Sequence, residues 1–178
     1  MKYAAMLRGI NLGKRQLHKG DLIAAAEAAG YSEARTLLAS GNVVFEAGEA
    51  SPAAIERDLS AAVEARSGIR SEVFARSLAD LEAAIAANPF PDVARDRPSR
   101  LLVLFCREPP SEAELKRVAE GYDGPERLAA VGRELFIDYP EGQGRSTLDP
   151  AMARLRIRLP LDTRRNWNTV TKLAAMLS

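Results

Sequence analysis

One cysteine and one histidine among 178 residues leave little to build reactive centres with. A lone cysteine forms no internal disulfide, so nothing here calls for an oxidising compartment. Zinc sites cluster Cys and His ligands, and one of each is too few, so no metal is expected. A Ser-His-Asp triad would have to use His18, and the chain has no nucleophile elbow. A Cys-His dyad would need Cys106, which ends an apolar run and reads as a buried, inert thiol. Charge of one sign is lacking too. Lys and Arg number 25 against 24 Asp and Glu, a net charge of +1, whereas proteins that grip nucleic acid without sequence preference are usually clearly basic. No segment approaches the roughly 18 apolar residues that span a bilayer. The apolar run at Tyr3–Leu7 is too short for a signal peptide, so the cytoplasm is the expected compartment.

What is present is a foldable chain, 47% hydrophobic and 28% charged. Residues 2–7 read as a strand running into the turn Arg8-Gly9-Ile10-Asn11-Leu12-Gly13. A helix follows over 17–29, stopped by Gly30. Strands over 36–39 and 43–46 flank Ser40-Gly41-Asn42, a hairpin signal. Ser51-Pro52 opens a helix to about Arg66, with serine as N-cap and proline at the first helical place. A strand over 72–75 and a capping box, Ser77 with Asp80, lead to a helix over 78–87. That order is β-α-β-β-α-β plus a helix, the ferredoxin-like pattern.

Residues 88–98 hold three prolines without apolar periodicity and read as a linker. Beyond it, Leu101–Cys106 is an unbroken apolar strand, Ser111 and Glu114 cap a helix over 112–121, and strands over 127–131 and 134–139 surround Gly132-Arg133. Asp149-Pro150 opens a short helix, and Trp167–Leu177 is the last. Gly41-Asn42-Val43-Val44-Phe45 can be laid over Gly132-Arg133-Glu134-Leu135-Phe136, which points to duplication. The expectation is an α+β protein of two ferredoxin-like halves, 1–87 and 99–178.

Five strings carry a resemblance: Leu7-Arg8-Gly9-Ile10-Asn11, Ser40-Gly41-Asn42-Val43-Val44-Phe45, Asn88-Pro89-Phe90, Gly144-Arg145-Ser146 and Arg165-Asn166-Trp167-Asn168-Thr169-Val170. In this order they resemble the signature of the DUF1697 family across nearly the whole chain. The resemblance implies a compact α+β fold with a ferredoxin-like part and implies no activity. The chain departs from the family pattern at Thr147, where lysine is expected, and at Arg164, where a smaller residue is expected.

The candidate site residues are donors. Arg165, Asn168, Thr169 and Lys172 fall at i, i+3, i+4 and i+7, which on one helix would share a face suited to phosphate or carboxylate. Gly144, Arg145 and Ser146 lie in a glycine turn able to wrap an anion, though it is neither a Walker loop nor a dinucleotide fingerprint. Arg8, Asn11 and Lys14 follow the first strand. Each has a plainer reading: a solvated helix face, a flexible turn, an ordinary connection. If the three groups converge, they form one pocket for a phosphorylated or carboxylated ligand, a nucleotide or a structured nucleic acid among them. Nucleic acid would not be held by base stacking, because Asn42 and Val44 stand where an RNA-recognition motif has its aromatics. Non-catalytic anion binding is therefore the leading expectation, without cofactor. The alternatives are a protein-interaction or assembly module, and an enzyme acting on a phosphate ester with arginines stabilising developing charge.

Overall fold

The computed structural model describes residues 1–13, 16–38 and 41–178. It divides into two units, Met1–Ala83 with Thr171–Ser178, and Ala84–Val170.

The first unit is built on β1 (Lys2–Leu7), α1 (Lys19–Ala28), β2 (Ser32–Leu37), β3 (Asn42–Glu46), α2 (Pro52–Ser67) and β4 (Val73–Ser77), with α3 (Leu78–Ala86) following. The strands form one antiparallel sheet in the order β2-β3-β1-β4. Alternation along the strands decides what each residue meets. Tyr3, Ala5 and Leu7 of β1, with Val43 and Phe45 of β3, pack under Leu22, Ile55, Leu59 and Val63 of α1 and α2. The intervening residues Ala4, Met6, Val44, Phe74 and Arg76 are buried as well, on the sheet's other face. Burial on both faces is why these strands read as unbroken apolar runs. The expected caps are in place. Ser51 Oγ accepts from the Ala54 N–H, Pro52 sits in the first turn, and Gly68 ends α2 at φ +71°. Ser77 and Asp80 form a reciprocal box at the start of α3.

The second unit holds α4 (Pro91–Asp96), β5 (Leu101–Cys106), α5 (Glu112–Gly121), β6 (Arg127–Val131), β7 (Glu134–Asp138), α6 (Leu148–Arg154) and β8 (Asp162–Asn166). It also contains the start of α7 (Trp167–Leu177), whose residues from Thr171 onward belong to the first unit. Its antiparallel sheet runs β6-β7-β5-β8, the same order as the first. One face, with Leu102, Leu104, Leu135, Ile137 and Tyr139, packs under Val118 of α5 and Leu148 and Met152 of α6. Cys106 is buried and fully covered, as its place in an apolar strand predicts.

Three expectations need correction. The stretch 88–98 is not a plain linker, because α4 and a 3-10 turn at Pro98–Arg100 occupy it. Asp138 is 1% exposed at the end of β7, and its Oδ2 accepts from Arg97 and Arg127 at 3.1 Å. Arg127 also binds Asp92 at 2.9 Å and lies 4.8 Å over the Phe90 ring, so α4 is clamped to the sheet of its own unit. Second, β2 starts at Ser32, not 36, because its first half is polar and carries an irregularity between Ser32 and Arg35. Third, Asp162–Asn166 is a strand that apolar patterning does not announce. It pairs residue for residue with β5, and backbone pairing rather than hydrophobic alternation defines it.

Candidate functional site

The last helix begins at Trp167, two residues later than a stripe from Arg165 would need. Asn166 Oδ1 accepts from the Thr169 N–H at 3.0 Å and from the Thr169 hydroxyl at 3.1 Å, an N-cap that starts α7 at Trp167. Trp167, Val170, Ala174 and Leu177 are buried, as helical spacing predicts. Arg165 is therefore in β8, not on the helix, and does not share a face with Asn168, Thr169 and Lys172. Thr169 is buried at 5%, whereas Asn168 and Lys172 are exposed.

Arg165 is 8% exposed and lies opposite Val103 of β5. Its Nη1 donates to Thr163 Oγ1 at 2.9 Å and to the Arg164 carbonyl at 2.8 Å. Burial pulls its pKa down, to about 10, so it remains a cation at neutral pH. Arg164, one residue earlier, points to the opposite face, where α6 packs. Its Nη1 binds both Asp149 carboxylate oxygens at 3.2 and 3.0 Å and reaches the Tyr139 hydroxyl at 3.5 Å. Tyr139 is buried, and burial pushes its pKa up to about 12.

The glycine turn of the sequence is a 3-10 turn, Gln143–Arg145, leading straight into α6. Its neighbours Ser146 and Thr147 bond toward Glu126 and Tyr122, whereas the Arg165 guanidinium bonds to Thr163 and the Arg164 carbonyl within β8. Gly144 and Arg145 are exposed, and among the described residues Arg145 makes no ion pair. Arg100 approaches the same turn and donates to the Pro140 carbonyl at 3.3 Å. Gly142 has φ +88°, and a Cβ there would sit 2.8 Å from the Arg100 Nη1, so a side chain at this position would move the guanidinium from where it lies across the turn. Ser146 turns inward, accepting from the Leu148 N–H and bonding to Glu126. Glu126 also accepts from the Tyr122 hydroxyl at 2.5 Å, and Tyr122 lies 3.2 Å from Thr147 Oγ1. Despite partial burial, these hydroxyls hold the Glu126 carboxyl below its ordinary pKa.

Arg8 and Asn11 belong to the first unit. Arg8 is exposed, while Asn11, at φ +56°, uses Oδ1 to accept from the Leu17 N–H at 2.8 Å, which closes the loop locally. Lys14 lies outside the described residues, as does part of the expected Ser40-Gly41-Asn42 turn. A hollow of about 210 Å³ in this unit includes Lys2, Arg35, Glu33, Glu46, Val44 and Leu177 in its lining. Its cations serve α7: Arg35 Nη2 donates to the Met176 carbonyl at 2.9 Å and Lys2 Nζ to the Ser178 carbonyl at 3.3 Å. A second hollow, about 130 Å³, lies in the second unit between α5 and β6. Both are below the roughly 300 Å³ at which drug-sized ligand sites begin. Among the described residues no group of three or more His, Cys, Asp or Glu is placed to hold a metal, and no helix is long and apolar enough to cross a membrane.

The two sheets have open edges of different character. β2 is broken by the irregularity after Ser32, with Glu33 at φ +54° and charged residues at 33 and 35. β6 keeps an unbroken five-residue register with β7, contains no proline, and places only Arg127 as a charge. Sequence reasoning places β6 as a strand but gives it no functional role, and it misses Arg100, Tyr122 and Glu126. A strand of small uncharged residues, Leu128-Ala129-Ala130-Val131, was the available signal for such a role; nothing local distinguished the three side chains.

Comparison with known proteins gives the fold a lineage. The sequence profile described as "Protein of unknown function (DUF1697)" matches residues 1–136, well over half of the chain. The chain belongs to the DUF1697 family. Conserved bacterial protein SP0830 from Streptococcus pneumoniae is similar in fold to this DUF1697 protein, with a TM-score of 0.74 and 21% identity over 99% of this chain and 97% of the other. A comparison with curated proteins finds no relative.

Proposed function

We propose that this DUF1697 protein is a non-catalytic, cytoplasmic interaction module made of two ferredoxin-like halves that arose by duplication, and that it recruits an extended segment of a partner polypeptide along β6. The duplication reading is supported by more than shared strand order. Arg76 and Arg165 are each the fourth residue of the fourth strand, each opposite the third residue of the first strand, and each buried. The next residue in both cases, Ser77 or Asn166, caps the following helix. A solitary, buried cysteine agrees with a reducing compartment.

The observation that carries the functional reading is the open edge of β6. A regular, weakly charged edge strand presents unpaired N–H and C=O groups to any extended chain, and natural proteins usually blunt such an edge. The counterpart β2 is blunted; β6 is not. The test is selection of extended peptides from a displayed library, followed by amide exchange. Selected peptides slow exchange in β6 and lose binding when Ala130→Lys puts a charge on that strand. Protection confined to other elements, or binding indifferent to the substitution, rejects the reading.

Anion binding is a second reading. In its favour, Arg100 lies across Gly142 while Arg145 stands exposed on the same turn. Inorganic phosphate would raise the melting temperature of the native chain and leave that of Arg145→Glu unchanged. Equal melts in both proteins remove this reading.

A further inference from the structure

The hollow between α5 and β6 has features that the strand edge does not use. Leu115, Val118 and Ala119 of α5 and Leu128 of β6 give it apolar walls, and Glu126 and Tyr122 complete its lining. Glu126 is half-buried, and among the described residues no cation pairs with it. Its hydrogen bonds come from neutral donors, the hydroxyls of Tyr122 and Ser146 and its own backbone N–H. A carboxylate partly removed from water and answered only by neutral donors gains when a cation reaches it.

The carboxylate is also held in place. Tyr122 lies against Gly124, where a Cβ would come 2.1 Å from the ring's Cζ and hydroxyl oxygen. Any side chain at 124 would displace the ring, so this glycine leaves the room in which the phenol reaches Glu126. Thr147 Oγ1, 3.2 Å from the same hydroxyl, adds a second hold. The space is about 130 Å³, room for about four water-sized groups at ~30 Å³ each.

We infer that this hollow binds a short alkylammonium group, with the carbon chain against Leu115, Val118 and Leu128 and the ammonium on Glu126. A compact point cation with rotatable donors suits one carboxylate flanked by hydroxyls. A guanidinium, wider and made for bidentate pairing, suits it less. The chemistry is common to free alkylamines and to the lysine side chain. It lies wholly within the second unit and does not depend on strand addition at β6.

The experiment titrates n-butylamine hydrochloride into the full chain and follows the methyl resonances of Leu115, Val118 and Leu128, with n-butanol and butyrate as matched controls. Butylammonium shifts these methyls and binds at least about tenfold more tightly than butanol, while butyrate leaves them unmoved. Glu126→Gln weakens butylammonium about tenfold without changing the melt. Should that variant fail to fold, Ala119→Leu, which fills the hollow from an exposed helix position, abolishes the shifts with Glu126 intact. Nα-acetyl-lysine methylamide separates the sources: binding equal to butylamine assigns the site to lysine side chains, and exclusion assigns it to free amines. The proposal is overturned if butylammonium moves nothing, if butanol matches it, or if Ala119→Leu leaves binding unchanged.

Discussion

The two units use the same strand order for different ends. In the first, the end of β3 is Glu46, exposed and opposite Lys2. In the second, the equivalent end of β7 is Asp138, buried and opposite Leu101. One position is a solvated carboxylate. The other is an anchor that draws in Arg97, Arg127 and, through Arg127, Asp92 on α4. The fourth strands do the reverse and agree: both bury an arginine at the same place. What is shared is thus what the sheet's interior demands. What differs lies at strand ends and edges, where a partner or a neighbouring segment can reach.

The sharpest way to break this comparison is at the shared arginines. Arg76→Ala and Arg165→Ala each open a cavity and strand the groups the guanidinium served, so each should cost about 3–4 kcal/mol in urea unfolding. If the positions are equivalent, the two losses match. A near-neutral result at either one ends the equivalence. Next comes the contrast at the strand ends. Asp138→Ala should cost about 3 kcal/mol, because it removes a buried carboxylate and leaves Arg97 and Arg127 without it. Glu46→Ala at the matching exposed position should cost under about 0.5 kcal/mol. Similar losses at both would erase the distinction drawn between the units.

Tyr139 gives a smaller, pH-dependent effect. Burial raises its pKa from 10.0 to about 12, so the folded state keeps a proton that the unfolded chain releases first. Stability is therefore complete below pH 10 and falls as pH rises from there toward 12, by about 2 kcal/mol. Alkaline melts of native and Tyr139→Phe proteins should diverge only in that window, and coincident curves would refute the buried phenol. Ala130→Lys on β6 is the smallest in stability, within about 0.5 kcal/mol by thermal melt, even though it should abolish strand addition.

Much of this architecture could be read from the sequence where a residue type has only one good local use. Ser51-Pro52, Ser77 with Asp80, and Ser111 announce helix starts, and all three caps form. Leu101–Cys106 announces a central strand by being apolar throughout. β8 escaped because Asp-Thr-Arg-Arg-Asn has no apolar alternation, its place being set by pairing with β5. That omission also misled the site reading. With no strand expected before Trp167, sequence spacing places Arg165 on the helix face, although Asn166 is the cap and excludes it. The hollow at Glu126 was illegible for another reason. Its walls come from the consecutive elements α5 and β6, which no motif links, and of the hydroxyls around Glu126 and Tyr122, those of Ser146 and Thr147 come from a distant turn.

The closing turns of α7 set a condition on the order of folding. A ribosome delivers β1, β2 and their helices early, yet the carbonyls that Lys2 and Arg35 bind sit on Ser178 and Met176. The first unit is therefore completed only by joining segments 141 and 176 residues apart in sequence. Until then its sheet must wait with two cations facing water, and loop closure over that span, more than any local propensity, governs when the first unit is finished.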